Sequence, residues 1–366
     1  MTSLLQRVLA HSRAYPSAPA QIVKRRGRWQ SVCWVECLVQ IARATSALAA
    51  AGLAPGDRVA VIGDCEPEIV WTTLALLAVG AVVVPLDPGA TSSQVAAAMQ
   101  ISRASHAAIG DLEQFDKLRN LPLARVFSWR ATRSFDTSGH TLSLLEYLPL
   151  GSISERSASV PSATVLDVAG DLDAPAIVVL GSDMRTLRTR TQRHLIGAAQ
   201  ALLKSLAIDH GDRYLCSVPL AYEVGAVVGL ALPLLLPLTA CFQESPDQVE
   251  PALRELQPEL AMMDEPYWER VANDLARRVR RSVITRIGAE TATGARLTLR
   301  RGCREMLLNR PLRRHLGLAN AKAVLSIGSG RGCPELESYG IALVGVDARG
   351  ALLSSNGATP LSLTTS

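Results

Sequence analysis

Between residues 180 and 188 the chain reads Leu-Gly-Ser-Asp-Met-Arg-Thr-Leu-Arg, a stretch whose residue types bear on phosphate chemistry. Gly181 and Ser182 are small enough for backbone N–H groups to approach phosphate oxygens closely. Arg185 and Arg188 add cations, and Arg190 follows; Asp183 would set a negative charge beside a polyphosphate. A second constellation lies near the carboxy end, where an apolar run at 323–327 leads into Gly328-Ser329-Gly330-Arg331-Gly332. Asp347 follows about 20 residues on, the spacing of a dinucleotide-type fingerprint in which glycines admit a cofactor and an acid grips ribose hydroxyls. A third is Pro219-Leu220-Ala221-Tyr222, whose phenol donates one hydrogen bond but exchanges no proton near neutral pH. Each also reads as plain structure: a basic surface loop, a strand-turn, a packed strand-end residue.

These residues need elements to hold them. Arg58–Gly63 is a short apolar run typical of a buried parallel strand. Pro67 suits the first turn of a following helix, Gly80 its end, and Ala81–Pro85 the next strand, which makes a β-α-β unit. Gly211-Asp212-Arg213 opens a second unit in the same way, running through Tyr214–Val218 to a strand near Leu238–Phe242. Two such units predict two related parallel sheets. Leu4, Leu5, Val8 and Leu9 share one face of a short helix, and helices are also expected over Asp247–Leu256 and Tyr267–Arg286. The Ser-rich stretch Ser152–Ser162 reads as a linker. The boundaries predicted are an amino-terminal α/β subdomain at 1–160, a second at 161–351 and a flexible tail at 352–366.

The chain has 366 residues, 48% hydrophobic and 19% charged, which fits globular subdomains and excludes a disordered chain. The seven cysteines are scattered without paired spacing, so a zinc site or disulfide framework is not expected and a reducing, cytoplasmic location is. Val224–Phe242 carries no charge over 19 positions. Gly229, Pro233 and Pro237 interrupt it, so it reads as a buried helix and strand, not a membrane span. Thirteen arginines fall within Arg270–Arg314, but no aromatic residues are interleaved, so a solvated face is expected and nucleic acid is not.

The phrases GRWQSVCWVECLVQIARATSALAAAGL and GDRVAVIGDCEPEIVWTTLALLAVGAVVVPLDP resemble the amino-terminal domain of adenylate-forming (AMP-binding) enzymes, the superfamily of acyl-CoA synthetases. Asp111–Arg119 is similar to its long-chain branch, and the likeness resumes at Val218-Pro219-Leu220, Leu256–Val271 and Leu308–Leu318. The resemblance implies an α/β fold of two packed β-α subdomains, with ATP and Mg²⁺ as cofactors, activation of a carboxylic acid, and acyl transfer to CoA. It implies a degenerate phosphate loop at Gly181, Ser182, Arg185 and Arg188, with Arg188 in place of the family's lysine. Tyr222 stands where the family has His. Gly328, Gly330 and Asp347 would complete the acyl and adenylate pocket, with Asp347 the nearest carboxylate to the family's Tyr-Gly-x-Thr-Glu motif. The later ribose-binding Asp, the catalytic lysine and the carboxy-terminal lid domain have no counterpart, so a catalytically impaired homologue is expected. It would act by binding an acyl, nucleotide or CoA-type molecule, or a protein partner. Two alternatives stand beside this: an active ligase with non-standard residues, and an S-adenosylmethionine-binding, methyltransferase-like module at 323–350.

Overall fold

The structure, a computed structural model, describes residues 2–129, 141–143, 171–181, 185–281, 309–328, 333–337 and 341–353. The expected β-α-β unit forms from β3 (Arg58–Ile62), α3 (Pro67–Ala78) and β4 (Val82–Leu86). The two strands run parallel from the pair Arg58–Val82 to Ile62–Leu86. Pro67 opens α3, and Gly80 takes a left-handed turn just past it (φ +78°) while its Cα face lies against Pro55. All twelve residues of α3 are buried, as a helix enclosed on every side requires.

Two seven-stranded sheets result. One runs β7 (Thr141–Ser143), β6 (Arg125–Ser128), β5 (His106–Ile109), β3, β4, β8 (Pro175–Leu180), β9 (Leu187–Thr191). The other runs β14 (Val344–Val346), β13 (Ala323–Ile327), β12 (Leu260–Asp264), β10 (Arg213–Leu215), β11 (Thr239–Phe242), β1 (Pro19–Arg25), β2 (Arg28–Cys33). Strands are parallel throughout except in the terminal hairpins β8–β9 and β1–β2. The boundary expected at residue 160 does not separate these sheets. The amino-terminal hairpin β1–β2 pairs with β11 of the later unit, and β8–β9 pairs with β4 of the earlier one. Each unit thus lends its leading hairpin to the other.

Pleat alternation sorts the side chains into layers. On β3, Val59 and Val61 enter the central core while Ala60 and Ile62 face α4 (Ser92–Ser102) and α5 (Leu112–Leu118). On β12, Leu260 and Met262 enter the same central core while Ala261 and Met263 face the helices Val249–Leu256 and Glu265–Arg281. Between the sheets lie α2 (Trp34–Ala50), α3, α6 (Gln192–Leu203) and a helix over 223–235, which α1 (Leu4–Ala14) joins from the side. The arrangement is five layers, αβαβα.

The uncharged run at 224–242 is the buried helix and strand β11 that its interruptions indicate. Leu352 and Leu353 pair back onto β14, so the tail expected from residue 352 is anchored at its start. The predicted linker and most of the basic stretch lie outside the described residues. Among the described residues no helix is long and apolar enough to cross a membrane.

Candidate functional site

The carboxyl ends of the parallel strands of both sheets meet at a cleft, the usual place for ligands in open α/β sheets. Asp87 follows β4 on one side. On the other, the chain leaves β10, passes Pro219 and Tyr222, and enters the 223–235 helix. That entry depends on Gly225, since a Cβ there would lie 2.0 Å from the Pro219 carbonyl oxygen. The helix continues as a π-helical segment, Ala226–Ala231.

Tyr222 spans the cleft. Its hydroxyl donates to Asp87 Oδ2 at 2.7 Å, and Asp87 Oδ1 accepts from the Gly89 N–H at 2.8 Å. The Asp87 hydrogen bond, followed by burial, pushes the Tyr222 phenol up to about 12. The ring divides two cavities. One, of about 570 Å³, is bounded by β4, α4 and β8 and includes Gly181 and Arg188. The second, of about 600 Å³, is bounded by Ser217, Val249, Met263, Tyr267 and Arg270.

Beside Tyr222, the Glu223 carboxylate is only 3% exposed. Arg188 and Arg190, two residues apart on β9, project from the same strand face toward it. Arg190 Nε bonds one carboxylate oxygen and Nη2 lies 3.2 Å from the other. His194 Nε2 lies 3.3 Å away, and Arg188 Nη1 4.0 Å away. Burial pushes the Glu223 carboxyl up, but hydrogen bonds from His194 and Arg190 outweigh it and hold the group below the usual carboxylate range.

The expected phosphate loop proves to be the turn of the β8–β9 hairpin. Gly181 donates its N–H to the Thr186 carbonyl at 2.8 Å, closing the turn, so this amide is already engaged. Arg185 is exposed beside the turn, and Ser182 lies outside the described residues. Arg188 is not in the loop; it sits on β9 opposite Val179. The Gly181 amide is thus held by its own turn and Arg190 by Glu223, so neither of these two groups is open to a triphosphate, while Arg188 remains on the cavity wall. Among the described residues no group of three or more His, Cys, Asp or Glu is placed to hold a metal ion.

At the other edge, Asp347 Oδ1 accepts the N–H groups of Arg349 and Ala351, both at 2.8 Å, which caps its own turn. Gly328 donates to the Val346 carbonyl at 3.1 Å, and a Cβ on it would meet the Glu265 carboxylate at 2.3 Å. These residues fasten the end of β13 and β14, where β14 is an edge strand. Gly330 lies outside the described residues. The methyltransferase reading gains no support here, since Asp347 Oδ1 is engaged within its own turn. The cleft brings Gly181, Arg188 and Tyr222 to one cavity; Gly328 and Asp347 do not line it, while their neighbours Ile327 and Ala348 reach the second cavity.

A doubly sheeted α/β scaffold with its cleft between two strand ends is the architecture of the large domain of adenylate-forming enzymes. Residues 8–163 match the family model described as AMP-binding enzyme, so the resemblance to that superfamily holds for this part of the chain. The fold is similar over nearly all of it to solved structures. The amino-terminal domain of FACL13 from Mycobacterium tuberculosis matches at 14% identity and TM-score 0.63, over 97% of this chain and 79% of that one. The A-PCP didomain of carboxylic acid reductase from Segniliparus rugosus, in complex with AMP, matches at 16% and TM-score 0.71, over 94% and 52%. Acetoacetyl-CoA synthetase from Streptomyces lividans matches at 16% and TM-score 0.63, over 94% and 51%. The chain spans about half the length of the latter two. No curated protein matches it in sequence.

Proposed function

We propose that this chain is a degenerate adenylate-forming homologue that acts by holding an acyl- or nucleotide-type small molecule in the Tyr222 cleft, with little or no ligase turnover of its own. The observation that carries this is the buried Glu223, which bonds Arg190 and has Arg188 at 4.0 Å, two cations of the strand that follows the expected phosphate turn. Preorganised positive groups aimed at developing charge supply much of the rate in such chemistry, and loss of one contact typically costs about 10²–10³ in rate. Here Arg190 is taken by a carboxylate, and a phenol whose acidity is far from neutral pH stands where the resemblance puts an imidazole. The reading extends to a cytoplasmic protein of acyl metabolism. ATP–pyrophosphate exchange with carboxylic acids of several chain lengths tests it. The expected result is no exchange above background, and robust exchange by the isolated chain overturns it.

Exposure of Arg188 to the cavity supports a second reading, an active ligase using that guanidinium on phosphate. It requires saturable ATP binding that Arg188→Ala weakens.

A further inference from the structure

A further cavity, of about 400 Å³, opens where β1, β3 and β11 end; it does not include Tyr222 and shares Pro246 alone with the second cavity of the cleft. Its charged wall residues are Lys24, Arg25 and Arg26 at the end of β1, Asp64 and Glu66 after β3, and Glu244 after β11. Two of the cations are matched from outside the wall: Lys24 Nζ lies 2.6 Å from Glu255 Oε2, and Arg25 bonds Glu68. Burial and the nearby Glu66 push the Glu68 carboxyl up. Even with Glu68 protonated, four carboxylates stand against three cations, so the acids stay in excess. Gln243 follows β11 into the same wall, is 7% exposed, and has no hydrogen-bond partner for its Oε1 among the described residues. A buried amide oxygen without a donor is costly. The terminal torsion of glutamine is soft, so this oxygen can turn to a donor placed in the cavity. Among the described residues the acids are not grouped to hold a metal ion, which points to an organic donor.

We infer that this cavity binds a small organic cation carrying primary ammonium groups, of the class of a short aliphatic diamine, with one ammonium on Gln243 Oε1 and Glu244 and the other toward Asp64 and Glu66. An ammonium has three donors and no acceptor, which suits a wall with acids in excess and an orphaned amide oxygen. Glu244 already accepts from the N–H groups of Arg26 and Gly27 at 2.6 and 3.1 Å, and each carboxylate oxygen has a second lone pair for a ligand. Hydrogen bonds from a charged donor are roughly twice as strong as neutral ones. Arg25 and Arg26 repel the ammonium groups and keep them on the β3 and β11 sides of the cavity. Arg25 Nε, also without a partner among the described residues, makes inorganic phosphate the competing occupant. The volume falls within the range of small-molecule pockets, roughly 300–1,000 Å³. The ligand bridges strand ends of both sheets, and the inference does not depend on the reading of the Tyr222 cleft.

Calorimetric titration of the full chain with 1,4-diaminobutane tests this, beside butane-1,4-diol as its uncharged twin, tetramethylammonium as a cation without donors, and inorganic phosphate. The diamine is expected to bind about tenfold or more tightly than each of the three, as loss of a hydrogen bond to a charged group implies. Gln243→Met should weaken diamine binding by about tenfold on the same ground. Glu244→Gln should weaken it as well, and because Glu244 is exposed this variant keeps the test open where Gln243→Met does not fold. Tyr222→Phe, in the other cleft, should leave diamine binding unchanged. Equal affinity for the diamine and the diol overturns the inference, as does tighter binding of phosphate or of tetramethylammonium. So does diamine binding that survives both Gln243→Met and Glu244→Gln, or that falls with Tyr222→Phe. Salt titration of the unaltered chain adds a measurement without variants: the preference for diamine over diol must shrink as ionic strength rises, and a salt-independent preference overturns the proposal.

Discussion

Glu223 sits where a bare carboxylate would be costly, and its three basic neighbours meet that cost. Removing the acid should leave Arg190 facing a vacated partner. Breaking a buried pair from one side typically costs about 3–5 kcal/mol. Because Arg190 keeps 21% of its side chain exposed, Glu223→Gln is expected to fall toward the lower end of that range, read from denaturant unfolding. Tyr222 gives a pH signature. Its folded-state phenol is raised from about 10 to about 12, so the neutral form is favoured by folding. This contribution is complete below pH 10 and is lost as pH climbs toward 12. Tyr222→Phe should flatten the alkaline stability profile in that window relative to the unaltered chain, and identical slopes would remove the Asp87 bond from the account. Sequence reading found Tyr222, Arg188 and Arg190 but passed over Glu223. The signal was present: a lone acid directly before 19 uncharged positions must be buried or bordering burial, and so must find cations. Its partners, 33 and 35 residues away at Arg190 and Arg188, leave no local trace.

The elements followed the residues closely where the periodicity was strong. β3, α3 and β4 are set by an apolar run, a proline at the helix start and a glycine past its end, all local causes. The stretch from Gly181 to Arg188 was harder. Its small residues and cations suit a phosphate loop, yet they also suit a hairpin turn, and the pairing of Leu180 with Leu187 decides between them. Strand pairing is a two-body property, invisible in either strand alone. Gly328 and Asp347 likewise serve the local backbone in a way their spacing does not announce. Gly328 serves close packing against Glu265, and the acid after β14 serves its own turn. Spacing matched a cofactor fingerprint, but the hydrogen bonds were spent on backbone.

At the scale of the whole molecule, two parallel sheets were legible from two similar β-α-β openings. Their composition was not. The helices between the sheets merge into one continuous apolar core drawn from both units, and Tyr222 adds a polar link from one strand-end to the other. Residues 1–160 alone would lose β8 and β9 from one sheet and leave β1 and β2 without β11. That fragment is expected to remain unfolded or aggregate when expressed, by circular dichroism and size-exclusion chromatography. The intact chain should melt in one transition by both near- and far-ultraviolet signals. A cooperatively folding fragment would contradict this view of the core.

The exchanged hairpins bear finally on how the chain comes off the ribosome. β1 and β2 are made first, yet their neighbour β11 emerges more than 200 residues later. At a synthesis rate of about 5–20 residues per second, the opening ribbon waits on the order of ten seconds or more with one flank bare. An exposed flank of this kind invites pairing with other chains. The neighbouring segment is rich in charge there, Lys24-Arg25-Arg26-Gly27-Arg28, and repulsion between like ribbons gives the nascent protein a way to wait alone.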